Sequence, residues 1–152
     1  MKSLASNTYI YCEKFGFDHE YIQRRLALLG LGDGDLMLAK RLQERVIRPN
    51  VKRITGQFYR LLEQDEEFLL VVKDKDTLNR LKKTQVEYLT SLGVDFTGIA
   101  YFESRLRVGL AHVWANVGLA IYHCAYRILQ QLLIDSIPPN SKKKDIYIAF
   151  IL

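Results

Sequence analysis

Histidine and cysteine are the side chains of this 152-residue chain best suited to bind a metal, and there are three of the first and two of the second. Cys12 and Cys124 are far apart, and no Cys-x-x-Cys, Cys-x-x-Cys-His or zinc-type spacing occurs. Neither a disulfide framework nor a covalently attached haem is therefore encoded, and a reducing cytoplasm fits. His112 stands apart from the other histidines. It lies within Val108 to Tyr126, a stretch without Lys, Arg, Asp or Glu, beside Gly109, Leu110 and Val113. An imidazole buried in such a stretch needs a partner, and two arrangements supply one. As a neutral core histidine it donates to a backbone carbonyl. As an axial ligand to haem iron it offers Nε2 to the metal while Nδ1–H bonds a carbonyl one turn back, and the apolar surroundings keep it unprotonated. Small Gly109 would let a flat macrocycle approach. The residues alone leave both accounts open. His123 is a possible second ligand, and His19 has no comparable setting.

Long segments with apolar residues at steps of three and four, punctuated by three prolines and nine glycines, predict an all-α fold. An N-terminal extension (residues 1–17) leads to Asp18, the N-cap of a helix through Leu29 that Gly30, Gly32 and Gly34 stop. Asp33 or Asp35 caps a helix to about Arg48, Pro49 ends it, and Asn50 caps the next. In that next helix Val51, Ile54, Phe58, Leu61 and Leu62 form a buried stripe. A short helical turn follows at Asp65 to Val72, then a helix from Lys75 to about Leu92 whose core face carries Leu78, Leu81, Gln85, Tyr88 and Leu89. Beyond Gly93 a helix bearing His112 runs towards Gly118, and a last one spans Leu119 to Ile137 before Pro138 and Pro139. Residues 140–152 read as a linker, basic at Lys142 to Lys144 and apolar from Ile146, that leads to a further module.

Composition narrows the class. Hydrophobic content of 49% and charged content of 26% exclude a disordered segment, which could not bury enough apolar area to offset chain entropy. A net charge of +5 spread over several helices gives no nucleic-acid face. The N-terminus has no apolar signal segment. The uncharged stretch 108–126 carries two histidines, an asparagine and two glycines and has arginines at both ends, so it reads as the most buried part of a core and not as a membrane span. No phosphate loop, nucleophile elbow, His-Glu-x-x-His or Glu-x-x-His pair points to an enzyme.

Several motifs together resemble the globin domain of the globin-coupled sensors, bacterial haem sensors related to aerotaxis transducers and globin-linked diguanylate cyclases. They are Gln57-Phe58-Tyr59-Arg60-Leu61-Leu62, the helix Leu78 to Tyr88, Arg105 to His112, and Tyr122-His123-Cys124-Ala125-Tyr126, and the likeness covers about Arg24 to Pro139. The 53 residues from Tyr59 to His112 are in keeping with the family's distal tyrosine and proximal histidine. The resemblance implies a globin fold, a helical sandwich over residues 18–139 with an extra N-terminal helix and no D helix, around a noncovalent haem b. It implies His112 as proximal iron ligand, Tyr59 as hydrogen-bond donor to O2, Leu81 and Thr84 on the distal face, and Tyr122 near the haem. A phenol in a dry pocket favours O2, which gains negative charge on binding, over CO. The resemblance further implies a gas sensor for O2 (CO or NO also binding), not itself an enzyme, that signals to a C-terminal output domain such as a diguanylate cyclase or chemotaxis transducer. A homodimer through the last helices is implied too, and the stripe Leu129, Leu132, Leu133 and Ile137 agrees with it. Two departures stand out: Ile121-Tyr122 keeps one residue of an aromatic pair, and Asn116 replaces a glycine expected after the histidine. A stand-alone O2- or NO-handling globin and a haem-free globin-like module remain as alternatives.

Overall fold

The computed structural model describes residues 9–140; the lysine run 142–144 and the apolar tail beyond it lie outside them. Among the described residues every element is helical. They are α1 (Ile10–Phe15), α2 (His19–Leu28), α3 (Leu36–Leu42), α4 (Arg48–Leu62), α5 (Glu66–Val71), α6 (Lys75–Ser91), α7 (Ile99–Trp114) and α8 (Leu119–Asp135). This is the all-α globin architecture. Aspartates start three of the helices as their chemistry predicts: the carboxylates of Asp18, Asp65 and Asp74 accept the N–H of Tyr21, Phe68 and Thr77 at 2.7, 3.0 and 2.6 Å. The core centres on α4, which packs against α6 and α8, with Ile54, Leu62, Leu89, Ile121 and Leu133 buried where they meet.

Pro49 does not break the chain's helical course, and Asn50 is not a cap. A π-helical turn, Gln43–Ile47, joins α3 to α4, and Pro49 falls in the first turn of α4. The wider turn makes room for a ring that would collide with a carbonyl in a regular α-helix. Asn50 Nδ2 instead donates to the Val46 carbonyl at 2.8 Å. Asp35 likewise turns back to accept the Gly32 N–H at 3.0 Å and leaves α3 without a side-chain cap. The buried stripe of α4 is Ile54, Thr55, Phe58, Tyr59 and Leu62, and Leu61, a third of a turn away, is exposed.

Two polar clamps hold the helices in register. Gln43, 2% exposed, donates through Nε2 to the carbonyls of Leu89 and Leu92 at 2.8 and 2.6 Å, so the π-turn closes the C-terminal end of α6. Arg105 of α7 lies between the rings of Tyr88 and Tyr101, 4.5 and 4.6 Å from their centroids, and its Nη2 donates to Ser91 Oγ at 2.6 Å. The extension carries α1, which sits on the back of α7. Buried Glu103 accepts the N–H groups of Cys12 and Tyr11 at 2.8 and 3.1 Å, and Arg107 spans 3.7 Å to the same carboxylate. Burial works against the charge of Glu103, but those N–H donors outweigh it and hold the carboxyl below its usual range.

Two expectations are corrected here. The uncharged stretch is not the most buried part of the core: of residues 108–126 only Ile121 is buried, while Val113, Trp114 and Leu119 are about 70% exposed. The second half of α7 has one packed side and one open side, so absence of charge there does not mean burial. The stripe offered for dimerisation also points inward, because Leu129 and Leu133 are covered by this chain's own core.

Burial and the neighbouring Glu103 push the Cys12 thiol up to about 11. Glu103→Ala should release α1 and make Cys12 reactive towards a thiol reagent at neutral pH, whereas in the native chain only exposed Cys124 reacts quickly. Gln43→Leu, which removes the side-chain donor of the Leu92 carbonyl and the second donor of the Leu89 carbonyl, should cost about 1–3 kcal/mol in denaturant unfolding.

Candidate functional site

The site grows from α7. Its ring-bearing residue, His112, is fixed by a hydrogen bond between Nδ1 and the Val108 carbonyl, four residues back, at 2.8 Å. With Nδ1 carrying the proton, Nε2 is left as the free lone pair. The ring of Tyr122 from α8 meets the imidazole edge-on, with centroids 5.3 Å apart and planes at 83°. Past Trp114 the chain turns through Asn116 with φ of 52°, a left-handed conformation that asparagine tolerates better than most residues, and this explains how it stands where glycine was expected.

His112 and Tyr122 line a cavity of about 190 Å³ together with Phe58, Tyr59 and Leu62 of α4, Leu81 and Gln85 of α6, and apolar residues of α5, α7 and α8. A second space of about 100 Å³ adjoins it and shares Phe58, Gln85, His112, Tyr122 and Ala125. No lining residue of either carries a formal carboxylate, ammonium or guanidinium charge. Tyr59 is 5% exposed, and its ring packs against Phe58 and Phe68 with centroids 5.1 and 6.1 Å away. Burial pushes its hydroxyl up to about 12, so it is a neutral donor at any physiological pH.

The structure thus gathers His112, Tyr59, Leu81 and Tyr122 on one cavity and leaves Thr84 outside it, exposed on α6. Contrary to the burial expected of it, His112 is itself exposed in the protein chain, at the open side of the cavity with Ala111 and Ala115. Gly109 faces elsewhere, into a groove with Phe15, Phe17 and Phe102, and His123 is exposed beyond the lining. Gln85 is the polar lining residue that received no role above. Its signal was present in the sequence as an amide within the apolar face of α6.

The donor set fits a haem. Among the described residues no three His, Cys, Asp or Glu side chains converge to hold a bare metal ion, so His112 can hold a metal only as one ligand of a complex already assembled. The apolar walls would suit a porphyrin ring.

Compared with known families, the chain matches Protoglobin over residues 18–150. Among curated proteins it is similar to the Heme-based aerotactic transducer HemAT of Halobacterium salinarum, with 29% identity over 126 residues that make up 82% of this chain. The chain spans 26% of that relative's length. No solved structure matches it.

Tyr59 has a consequence for stability. Below pH 10 the phenol is neutral folded or unfolded and adds no pH dependence. From about 10 to about 12 the unfolded chain releases a proton that the folded one keeps, so stability falls as pH rises, by roughly 3 kcal/mol over the interval. Urea titrations at pH 9 to 12 should show a shallower fall in Tyr59→Phe.

Proposed function

The chain belongs to the Protoglobin family, as a globin domain of the globin-coupled sensor kind, and on that premise we propose that it is a haem-based O2 sensor. The observation that carries the proposal is the fixed imidazole: a histidine whose Nδ1 is committed to the Val108 carbonyl, on a cavity without charges that it shares with a buried phenol. Haem b, held without covalent attachment, would supply a ferrous iron able to take O2, CO or NO reversibly.

This chain's residues do the rest. His112 would hold the iron through Nε2, and its carbonyl partner keeps the ring from turning. Phe58, Leu62, Phe68 and Ile121 exclude water from the macrocycle's faces. Tyr59 offers its O–H to a diatomic ligand in a dry site, where one donor is worth more than in water and O2 gains more from it than CO does. Leu81 keeps bulk water from the same space. Tyr122, packed on the imidazole, and α8 beyond it are positioned to feel any shift of His112. We assign the domain no catalytic step of its own. Its output is a C-terminal module, as the relative's printed description as an aerotactic transducer supports. A homodimer through the last helices would use Trp114, Leu119 and Tyr126, which are among the large side chains left exposed there. No described helix is long and apolar enough to cross a membrane.

Absorption spectra of the purified, haem-reconstituted protein test the reading. A Soret band that sharpens with O2 or CO after reduction is expected, and His112→Ala should lose the haem or its normal coordination. Tyr59→Phe should keep the haem and release O2 roughly tenfold faster or more, the size of a hydrogen bond in a dry site. A protein that stays colourless with hemin overturns the proposal in favour of a haem-free module.

A further inference from the structure

We propose that the chain carries a second binding site, separate from the His112 cavity, for a small zwitterion: a free α-amino acid with an aliphatic side chain. The site is a pocket of about 380 Å³ where the end of α3 and the π-turn Gln43–Ile47 face the loop between α6 and α7. None of its lining residues belongs to the spaces that His112 lines. Gln43 is the residue that marks it. This side chain is 2% exposed, lines the pocket, and commits its Nε2 donors to the carbonyls of Leu89 and Leu92. Its Oε1 is buried and has no hydrogen-bond partner among the described residues. A buried amide oxygen without a donor is costly to keep, so an N–H brought by an occupant is worth more there than in water.

The charges around that oxygen say what the occupant must carry. Lys40 and Arg48 supply two cations to the lining, and Glu44 and Asp95 supply two carboxylates. Lys40, Glu44 and Arg48 follow one another at steps of four, a spacing that pairs opposite charges along a regular α-helix. The π-turn between them breaks that register, and among the described residues none of the four forms an ion pair; the pair found is Arg107 with Glu103. Across the pocket the chain turns through left-handed conformations at Gly93 (φ 75°) and Asp95 (φ 51°), and Val94 between them is exposed towards solvent. Leu36, Met37 and Val94 add an apolar surface to this ring of both signs. A phosphate or carboxylate ligand would meet two carboxylates there, and a simple cation two ammonium-type charges. A zwitterion answers both: its ammonium donates to Gln43 Oε1 beside Glu44 and Asp95, its carboxylate faces Lys40 and Arg48, and its side chain covers the apolar surface.

Calorimetric titration of the full chain with L-leucine tests this, alongside leucinamide and N-acetyl-leucine, which each lack one of the two charges. Leucine should bind with a dissociation constant in the millimolar range or below and shift the backbone amide resonances of Gly93 to Asp95, and each analogue should bind roughly tenfold more weakly or worse. Asp95→Asn and Arg48→Gln should each weaken leucine binding by a similar factor. Asparagine tolerates the left-handed backbone at 95, and Arg48 is exposed, so neither change disturbs the core. Should Arg48→Gln lose helical signal, Lys40→Gln must show the weakening instead. Binding should persist in His112→Ala, and its loss there would move leucine to the other cavity and overturn the proposal. Neither heat nor amide shifts with leucine at tens of millimolar would leave the pocket to water alone and overturn it as well. Equal binding of either analogue, or native binding in both charge variants, does the same.

Discussion

A single backbone carbonyl decides what His112 can be. In a helix interior that oxygen is already accepting an N–H from the next turn, and here the Val108 carbonyl takes the imidazole Nδ1 at 2.8 Å in addition. The bond fixes the tautomer, the ring orientation and the chemistry of Nε2 at once. Every other feature of the site matters through it: the Tyr122 ring packs on an imidazole that does not rotate, and Tyr59 and Gln85 line a cavity whose one metal-binding group has a set direction. Without it the cavity would be an apolar gap with a solvent-exposed histidine at its rim.

Much of this was legible in the residues. The Asp18 cap, the course of most helices and the carbonyl one turn behind His112 follow from local chemistry, which the rest of the chain does not override there. The stripe on α4 was legible at Ile54, Phe58 and Leu62 but not at Leu61, which looks as buried as Phe58 until its partners are known. Pro49 misled because a local rule describes a regular α-helix, whereas the π-turn before it depends on Gln43 reaching the carbonyls of Leu89 and Leu92 nearly fifty residues away. No window of sequence contains both ends of that bond. The exposure of 108–126 was hidden for a related reason. Lack of charge records what a segment avoids, and a surface that meets a cofactor or another chain avoids charge as thoroughly as a core does.

Gln85 and Thr84 illustrate the finer limit. They are neighbours, both polar, on a helix whose apolar face was correctly placed, and a third of a turn separates the cavity from solvent. The resemblance carried a hydroxyl, Thr84, to the distal side; the cavity's lining holds the neighbouring amide of Gln85. Helix phase, set by Leu89 in the core and by the Gln43 clamp at the helix end, makes that choice.

The two sides of α7 divide its labour. Glu103 and His112 are nine residues apart, half a turn out of phase, so the face that grips α1 is the one turned away from the cavity. Between them Arg105, stacked on Tyr88 and Tyr101, ties the first half of α7 to α6 and leaves two buried guanidinium nitrogens without acceptors. That is a costly way to join two helices unless the joint must hold. The first half of α7 is thereby anchored on both sides by polar contacts, while the half that bears His112 is held by ring contacts, Trp114 on Tyr11 with centroids 6.5 Å apart and His112 on Tyr122.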